Sequence, residues 1–136
     1  MPHARLSVLV VDDEGMCREA LRRELTRLGY DVALAESGAE ALALFGERGA
    51  DLVLTDLLMP SMSGLQLIRR LRAAWPREPM VACTGGTLPE LAACRRLEAQ
   101  GIPLLVKPFD DEELAQALAC ALRAGAEPGT QGRFRA

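Results

Sequence analysis

Five polar residues stand directly after apolar runs of this sequence: Asp12, Asp13, Asp56, Thr84 and Lys107. Carboxylates bind hard cations or act as nucleophiles, a hydroxyl donates a hydrogen bond, and an ammonium neutralises an anion. Taken singly, each has an ordinary structural explanation, the aspartates as helix caps or turn residues, the threonine as a strand end, and the lysine as a surface charge. Taken together, they predict a site for metal and phosphoryl chemistry, provided that the fold brings them to one place.

Three carboxylates in one place repel one another. At a separation of about 5 Å and an effective dielectric constant of about 20, each pair repels by about 3 kcal/mol, so three pairs cost about 10 kcal/mol. The whole folding stability of a domain is about 5 to 15 kcal/mol, so such a cluster takes up protons or binds a cation. An all-oxygen ligand set with room for water suits Mg²⁺ better than Zn²⁺. The acidic cluster therefore predicts Mg²⁺, and a phosphate enters this site only together with the metal.

The remaining polar residues suit a phosphoryl group. Lys107 is the only lysine in the chain, and the other 15 of the 16 basic residues are arginines. A compact ammonium suits a phosphoryl group that arrives and leaves, whereas a planar guanidinium favours a fixed pair. Thr84 offers a hydroxyl to a second phosphoryl oxygen, and Gly85 lets the backbone come close. A carboxylate such as Asp56 is able to act as the nucleophile and form an aspartyl phosphate.

The elements that must position these residues are short strands that alternate with helices. Five apolar runs predict strands, over residues 6–11, 32–34, 52–56, 80–83 and 102–106. Capping-box spacings predict the starts of four of the helices that follow: Ser37-x-x-Glu40, Ser63-x-x-Gln66, Thr87-x-x-Glu90 and Asp110-x-x-Glu113. Strands that are apolar throughout indicate a parallel sheet with helices on both faces. The prediction is a doubly wound α/β fold, in which the carboxyl ends of the strands form one ligand-binding edge.

Composition sets the class of protein. The chain has 136 residues, 49% of them hydrophobic, and this is enough for one domain with a core of its own. The net charge is −3, and the arginine doublets at 22–23, 69–70 and 95–96 are interpreted as solvated helix faces, so we expect no direct nucleic-acid binding.

Cysteine spacing and hydropathy predict where the protein works. The four cysteines, at positions 17, 83, 94 and 120, form no C-x-x-C pair and are expected to be reduced. The longest apolar run has six residues, against the roughly 20 that a membrane span needs. No secretory signal is evident at the N-terminus. We therefore expect a cytoplasmic protein without a membrane segment.

The sequence resembles the receiver domains of two-component response regulators over roughly residues 5–123. The resemblance is carried by four motifs in the same order and spacing as in the family: V-L-V-V-D-D-E at 8–14, T-D-L-L-M-P-S-M-S-G at 55–64, Thr84-Gly85, and V-K-P-F at 106–109. It implies a flavodoxin-like (βα)5 fold with strand order 2-1-3-4-5. It also implies a receiver domain over residues 1–123, followed by a flexible tail or linker over 124–136.

The resemblance implies a role for each residue of the set. Asp56 corresponds to the phosphoacceptor, and Thr84 and Lys107 to the residues that contact the phosphoryl group. The implied Mg²⁺ ligands are three carboxylates and one backbone carbonyl, those of Asp12, Asp13, Asp56 and Leu58.

Two further positions follow from the resemblance. The peptide bond before Pro108 is expected to be cis. Where the family usually has an aromatic residue, three positions before the lysine, this chain has Leu104. Thr84 and Leu104 thus occupy the switch positions, and Leu104 has no ring for the coupling of threonine and aromatic side chain that is usual in the family.

The resemblance also implies a function and its partners. The module would take phosphate from a histidine kinase or phosphotransfer protein, shift between two conformations, and catalyse only its own phosphorylation and dephosphorylation. It would signal to an unidentified downstream partner through helix four, strand five and helix five, a face that would also form a homodimer.

Two alternatives remain open. One is a pseudo-receiver, an interaction module that is never phosphorylated. The other is a phosphohydrolase of the haloacid dehalogenase type, which also uses a nucleophilic aspartate and Mg²⁺. Such an enzyme carries a second aspartate two positions after the first, where this chain has Leu58.

Overall fold

The computed structural model, which describes residues 5–85 and 91–125, contains one parallel sheet of five strands in the order β2-β1-β3-β4-β5. The strands are β1 (Ser7–Val11), β2 (Asp31–Ala35), β3 (Leu52–Asp56), β4 (Met80–Thr84) and β5 (Leu104–Val106). The helices are α1 (Gly15–Arg27), α2 (Gly38–Arg48), α3 (Gly64–Ala74), α4 (Leu91–Ala99) and α5 (Asp111–Gly125). The predicted doubly wound fold and strand order are confirmed.

Alternate residues of each central strand belong to two cores on opposite faces of the sheet. In β1, Leu9 and Val11 join the core that also contains buried residues of α2, α3 and α4. Val8 and Val10 join the core that contains buried residues of α1 and α5. Every residue of β3 and β4 is buried, which is the reason that these strands do not alternate and are apolar up to their polar carboxyl ends.

Capping boxes begin α3 and α5 as predicted. The Ser63 hydroxyl accepts from the Gln66 backbone N–H at 3.2 Å, and the Gln66 side chain accepts from the Ser63 N–H at 3.0 Å. Asp110 and Glu113 make the same pair of bonds at 2.8 and 3.0 Å. These bonds satisfy backbone N–H groups that have no partner within the helix.

The box predicted for α2 forms only in part. Ser37 accepts from the Glu40 N–H at 3.1 Å, but the Glu40 carboxylate accepts from the N–H of Glu36 at 2.8 Å rather than from that of Ser37. The serine cap is therefore correct, and the reciprocal bond reaches one residue further back. The box predicted at residues 87–90 lies outside the described residues.

Strand β5 is shorter than predicted, because it begins at Leu104 rather than at residue 102. Pro103 has no backbone N–H to give to the strand ladder, although its carbonyl accepts from the Ala82 N–H at 2.9 Å. Ile102 is fully buried, but its N–H closes the end of α4 by bonding to the Leu97 carbonyl at 2.9 Å. Apolar character alone therefore overestimated the strand by two residues.

Three cysteine side chains are described, and all three are free thiols. Cys83 is buried in β4, and burial raises its pKa to about 12. Cys17 and Cys120 are more exposed. The side chain of Cys94 lies outside the described part of the chain.

Candidate functional site

The acidic residues meet because β1 and β3 are neighbours and end at the same level. Val11, the last residue of β1, is the register partner of Thr55 in β3. Asp12 and Asp56 follow these two residues, so they leave adjacent strands side by side. One carboxylate oxygen each of Asp12, Asp13 and Asp56 lies within 4.8 Å of the other two. The structure thus brings together the three aspartates that the sequence placed at strand ends.

Asp12 is held from several directions. It is 1% exposed, and its Oδ1 accepts from the Glu14 backbone N–H at 3.0 Å. Its Oδ2 accepts from the Lys107 ammonium at 3.0 Å. Its backbone carbonyl accepts from Arg18 Nη1 at 2.8 Å, a contact that sequence reasoning missed because no motif marks Arg18. The loop that carries Asp12 and the exposed Asp13 is therefore fixed at both its side chain and its main chain.

Asp56 is less well compensated than Asp12. Its Oδ2 lies 3.8 Å from the Lys107 ammonium, and its Oδ1 lies 3.4 Å from the Leu58 backbone nitrogen. Burial raises the pKa of Asp56, the Lys107 charge lowers it, and the Asp12 charge raises it again, with a net upward shift. The ionised carboxylate of Asp56 is thus the form that the surroundings support least, and a cation beside it would favour that form.

Lys107 places a positive charge beside two of the three aspartates. Its backbone N–H donates to the Thr84 carbonyl at 2.7 Å, which fixes the residue next to the end of β4. The peptide bond to Pro108 is cis, as the resemblance implies. Burial lowers the pKa of Lys107, but its hydrogen bond to Asp12 and the charges of Asp12 and Asp56 raise it further. Lys107 therefore remains an ammonium at neutral pH.

Two glycines, Gly64 and Gly85, leave little space for a Cβ beside the site. A Cβ on Gly64, at the start of α3, would lie 2.1 Å from the Asp56 carbonyl oxygen and 2.7 Å from the Leu57 Cα. A Cβ on Gly85 would lie 3.2 Å from Cδ of Lys107. The start of α3 therefore approaches the end of β3 more closely than a side chain permits, whereas at Gly85 the lysine stem would have to move by a few tenths of an ångström.

Thr84 and Leu104 occupy different environments. Thr84 ends β4 and is 1% exposed, and its neighbour Cys83 is the register partner of Asp56. Leu104 begins β5, is half-buried, and packs against the core on the α2, α3 and α4 face. Leu58 is 56% exposed at the rim of the site.

Comparison with known proteins matches this chain to one family. The model of the response regulator receiver domain matches residues 8–119. Among curated proteins, the transcriptional regulatory protein GlrR of Escherichia coli (strain K12) is 37% identical over 137 residues, which cover 99% of this chain and 30% of that protein. The response regulator MprA of Mycobacterium sp. (strain KMS) is 39% identical over 117 residues, covering 85% of this chain and 50% of that protein. The chain thus spans half or less of these relatives.

Solved structures of receiver-domain proteins are also similar to this chain. A response regulator receiver domain protein from Clostridium thermocellum superposes with a TM-score of 0.78 at 28% identity, covering 87% of this chain and 94% of that one. The chemotaxis protein CheY4 of Vibrio cholerae gives a TM-score of 0.78 at 32% identity, covering 88% of this chain and all of that one.

Proposed function

This chain belongs to the response regulator receiver domain family, and from that premise we propose that it accepts a phosphoryl group on Asp56 and switches conformation when it does. The donor is a histidine kinase or a phosphotransfer protein. One observation carries the proposal: the carboxylate oxygens of Asp12, Asp13 and Asp56 lie within 4.8 Å of one another, and the Lys107 ammonium lies beside them.

The donor set fits Mg²⁺. Three carboxylates with one nearby lysine leave an excess of negative charge, and all the side-chain donors are oxygens, which Mg²⁺ prefers. Asp12, Asp13 and Asp56 would hold the ion together with the backbone carbonyl of Leu58. When bound, the ion supplies positive charge for the phosphoryl oxygens.

The chain's own residues would carry out the transfer as follows. An Asp56 carboxylate oxygen attacks the phosphorus of the donor, and the new O–P bond forms as the bond from phosphorus to the leaving group breaks. The leaving group departs with the electron pair of that bond. The Lys107 ammonium neutralises one phosphoryl oxygen, and the Thr84 hydroxyl donates a hydrogen bond to another. Water later hydrolyses the aspartyl phosphate, so the chain is a catalyst on itself alone.

The conformational change would be transmitted from Thr84 to β5. Leu104 lacks a ring to turn inward, so we propose that repacking of an aliphatic side chain replaces the aromatic rotation typical of the family. The output face is α4, β5 and α5, through which a downstream partner or a second copy would bind.

We further propose where the chain acts and what it binds. Among the described residues, no helix combines the length and hydropathy that a membrane crossing requires. We propose a cytoplasmic receiver over residues 1–123, with 124–136 as a tail or linker, that binds protein partners rather than nucleic acid. The transcriptional regulator and response regulator among its relatives are longer than this chain.

Incubation with acetyl phosphate tests the proposal and its rivals. We expect one phosphoryl group per chain with Mg²⁺ and none with a chelator. Absence of labelling under both conditions would contradict the proposal and favour a pseudo-receiver. Multiple-turnover hydrolysis of sugar phosphates would contradict it in favour of a phosphohydrolase. Asp31→Asn, at an exposed aspartate of the edge strand β2, is the matched control and should label like the unmodified chain.

A further inference from the structure

The arginines of this protein differ in how their charges are balanced. In α1, Arg22 pairs with Glu19 within the same helix. In α3 and α4, Arg69, Arg72 and Arg96 have no carboxylate within 4.0 Å among the residues that the structure describes. None of the three is therefore in an ion pair with a described carboxylate, although the charge of the buried Glu78 acts on Arg72.

These three arginines surround one cavity between α3 and α4. The cavity has a volume of about 170 Å³, with Arg69 and Arg72 lining it from α3 and Arg96 lining it from α4. Ile68 and Leu97 also line it, but they are only 3% and 2% exposed. The half-buried Leu65 and the buried Ala93 complete the apolar lining, and the three guanidinium groups supply the charge by which a ligand here would be recognised.

Arg72 is fixed within this cavity. Its Nε donates to the Glu78 carbonyl and its Nη1 to the Gln100 carbonyl, each at 3.3 Å. Burial lowers the pKa of Arg72, and the Glu78 charge raises it only in part. Carbonyl oxygens orient the guanidinium, and the charge of the buried Glu78 balances it only in part. A half-buried cation is therefore held in place in a cavity that has two further cations at its rim.

We propose that the cavity between α3 and α4 binds a small anion that carries a phosphate group. Guanidinium groups bind phosphate through paired, parallel hydrogen bonds, and an anion between the two helices would relieve the repulsion among the three arginines. The volume is below the roughly 300 to 1,000 Å³ of sites for drug-sized molecules, yet well above the roughly 10 to 15 Å³ needed for one water. The cavity shares no lining residue with the aspartate site, so this proposal does not depend on phosphorylation of Asp56.

Titration of the full chain with inorganic pyrophosphate, at constant ionic strength and with a chelator present, tests the proposal. Two double variants remove the same charge from the same two helices. Arg69→Gln with Arg96→Gln changes residues that line the cavity, whereas Arg70→Gln with Arg95→Gln changes exposed arginines that do not. Urea unfolding of both variants verifies that they are folded.

We expect saturable binding, with the largest backbone amide shifts in α3 and α4. The cavity variant should bind at least about tenfold more weakly, and the control variant within about twofold of the unmodified chain. The proposal would be overturned by a titration that does not saturate, by equal weakening in the two variants, or by amide shifts centred on Asp56 and Thr84. Binding of ADP without binding of pyrophosphate would also overturn it, because the phosphates would then not be the recognised group.

Discussion

The Lys107 ammonium lies 3.0 Å from Oδ2 of Asp12, a residue 95 positions earlier in the chain. Asp12 is 1% exposed, and a buried carboxylate is costly unless a charge or hydrogen bonds compensate it. Lys107 is therefore both the hydrogen-bonded counter-charge of Asp12 and a positive charge 3.8 Å from Oδ2 of Asp56. The same atom, Nζ of Lys107, serves both the structural role and the proposed chemical role.

Replacement of Lys107 by methionine tests its structural role. The apolar stem is kept and the charge is removed, so Asp12 loses its hydrogen-bonded counter-charge. We expect the free energy of unfolding to fall by about 1.5 to 3 kcal/mol, the range for a hydrogen bond to a charged group. The loss should be below the roughly 3 to 5 kcal/mol of a fully buried pair, because the lysine side chain is 23% exposed. Urea unfolding with a chelator present measures it.

A double-mutant cycle measures the interaction energy between Asp12 and Lys107 separately from their interactions with other residues. Asp12→Asn combined with Lys107→Met should be more stable than the sum of the single effects predicts, with a coupling energy of about 1 to 3 kcal/mol. Additive effects would show that the two side chains do not stabilise each other.

Asp56→Asn should make the metal-free protein more stable at neutral pH. Burial and Asp12 raise the pKa of Asp56 despite Lys107, so the folded state holds this proton more tightly than the unfolded chain does. At pH values below the ordinary carboxyl pKa of about 4, both states are protonated and the effect is absent. As the pH rises above that value, the unmodified protein loses stability relative to the variant.

Urea midpoints of the unmodified protein and of Asp56→Asn, compared between pH 4 and pH 7.5 with a chelator, measure this dependence. With Mg²⁺ at pH 7.5 the order should reverse, because the ion favours the ionised Asp56 that the variant lacks. An advantage of the variant that is independent of pH would contradict the assigned cause.

Gly64→Ala should destabilise the protein, because its Cβ would lie 2.1 Å from the Asp56 carbonyl oxygen. Forced overpacking typically costs about 1 to 3 kcal/mol, and here it also displaces the start of α3. Gly46→Ala, in the last turn of α2 with no atom within 4 Å of the new Cβ, is the matched control. It should stabilise the protein by about 0.5 to 1 kcal/mol. Thermal or urea unfolding distinguishes the two outcomes.

The sequence predicted the fold and the convergence of the aspartates because both depend on local signals. Runs that are apolar throughout indicate buried parallel strands, and in such a sheet the residues after the strands must share an edge. Ser63 with Gln66 and Asp110 with Glu113 specify helix starts within four residues of chain. The sequence alone therefore predicts that the side chains of Asp12, Asp56 and Lys107 lie close together.

Features that depend on packing between distant elements were not predicted. The start of β5 was placed two residues early, because hydropathy does not register that Pro103 lacks an N–H. The contact of Arg18 with the Asp12 carbonyl depends on the path of a loop. The arginine doublets indicate solvated helix faces, and Arg69 and Arg96 are both exposed, but only the packing of α3 against α4 places them around one cavity.

Identification of the labelled residue tests the central claim most directly. The protein is phosphorylated with acetyl phosphate and Mg²⁺, the acyl phosphate is trapped by borohydride reduction, and the modified peptide is sequenced by mass spectrometry. The account predicts modification at Asp56 alone, and none in Asp56→Asn. Modification at Asp12 or Asp13, or undiminished labelling of Asp56→Asn, would contradict it.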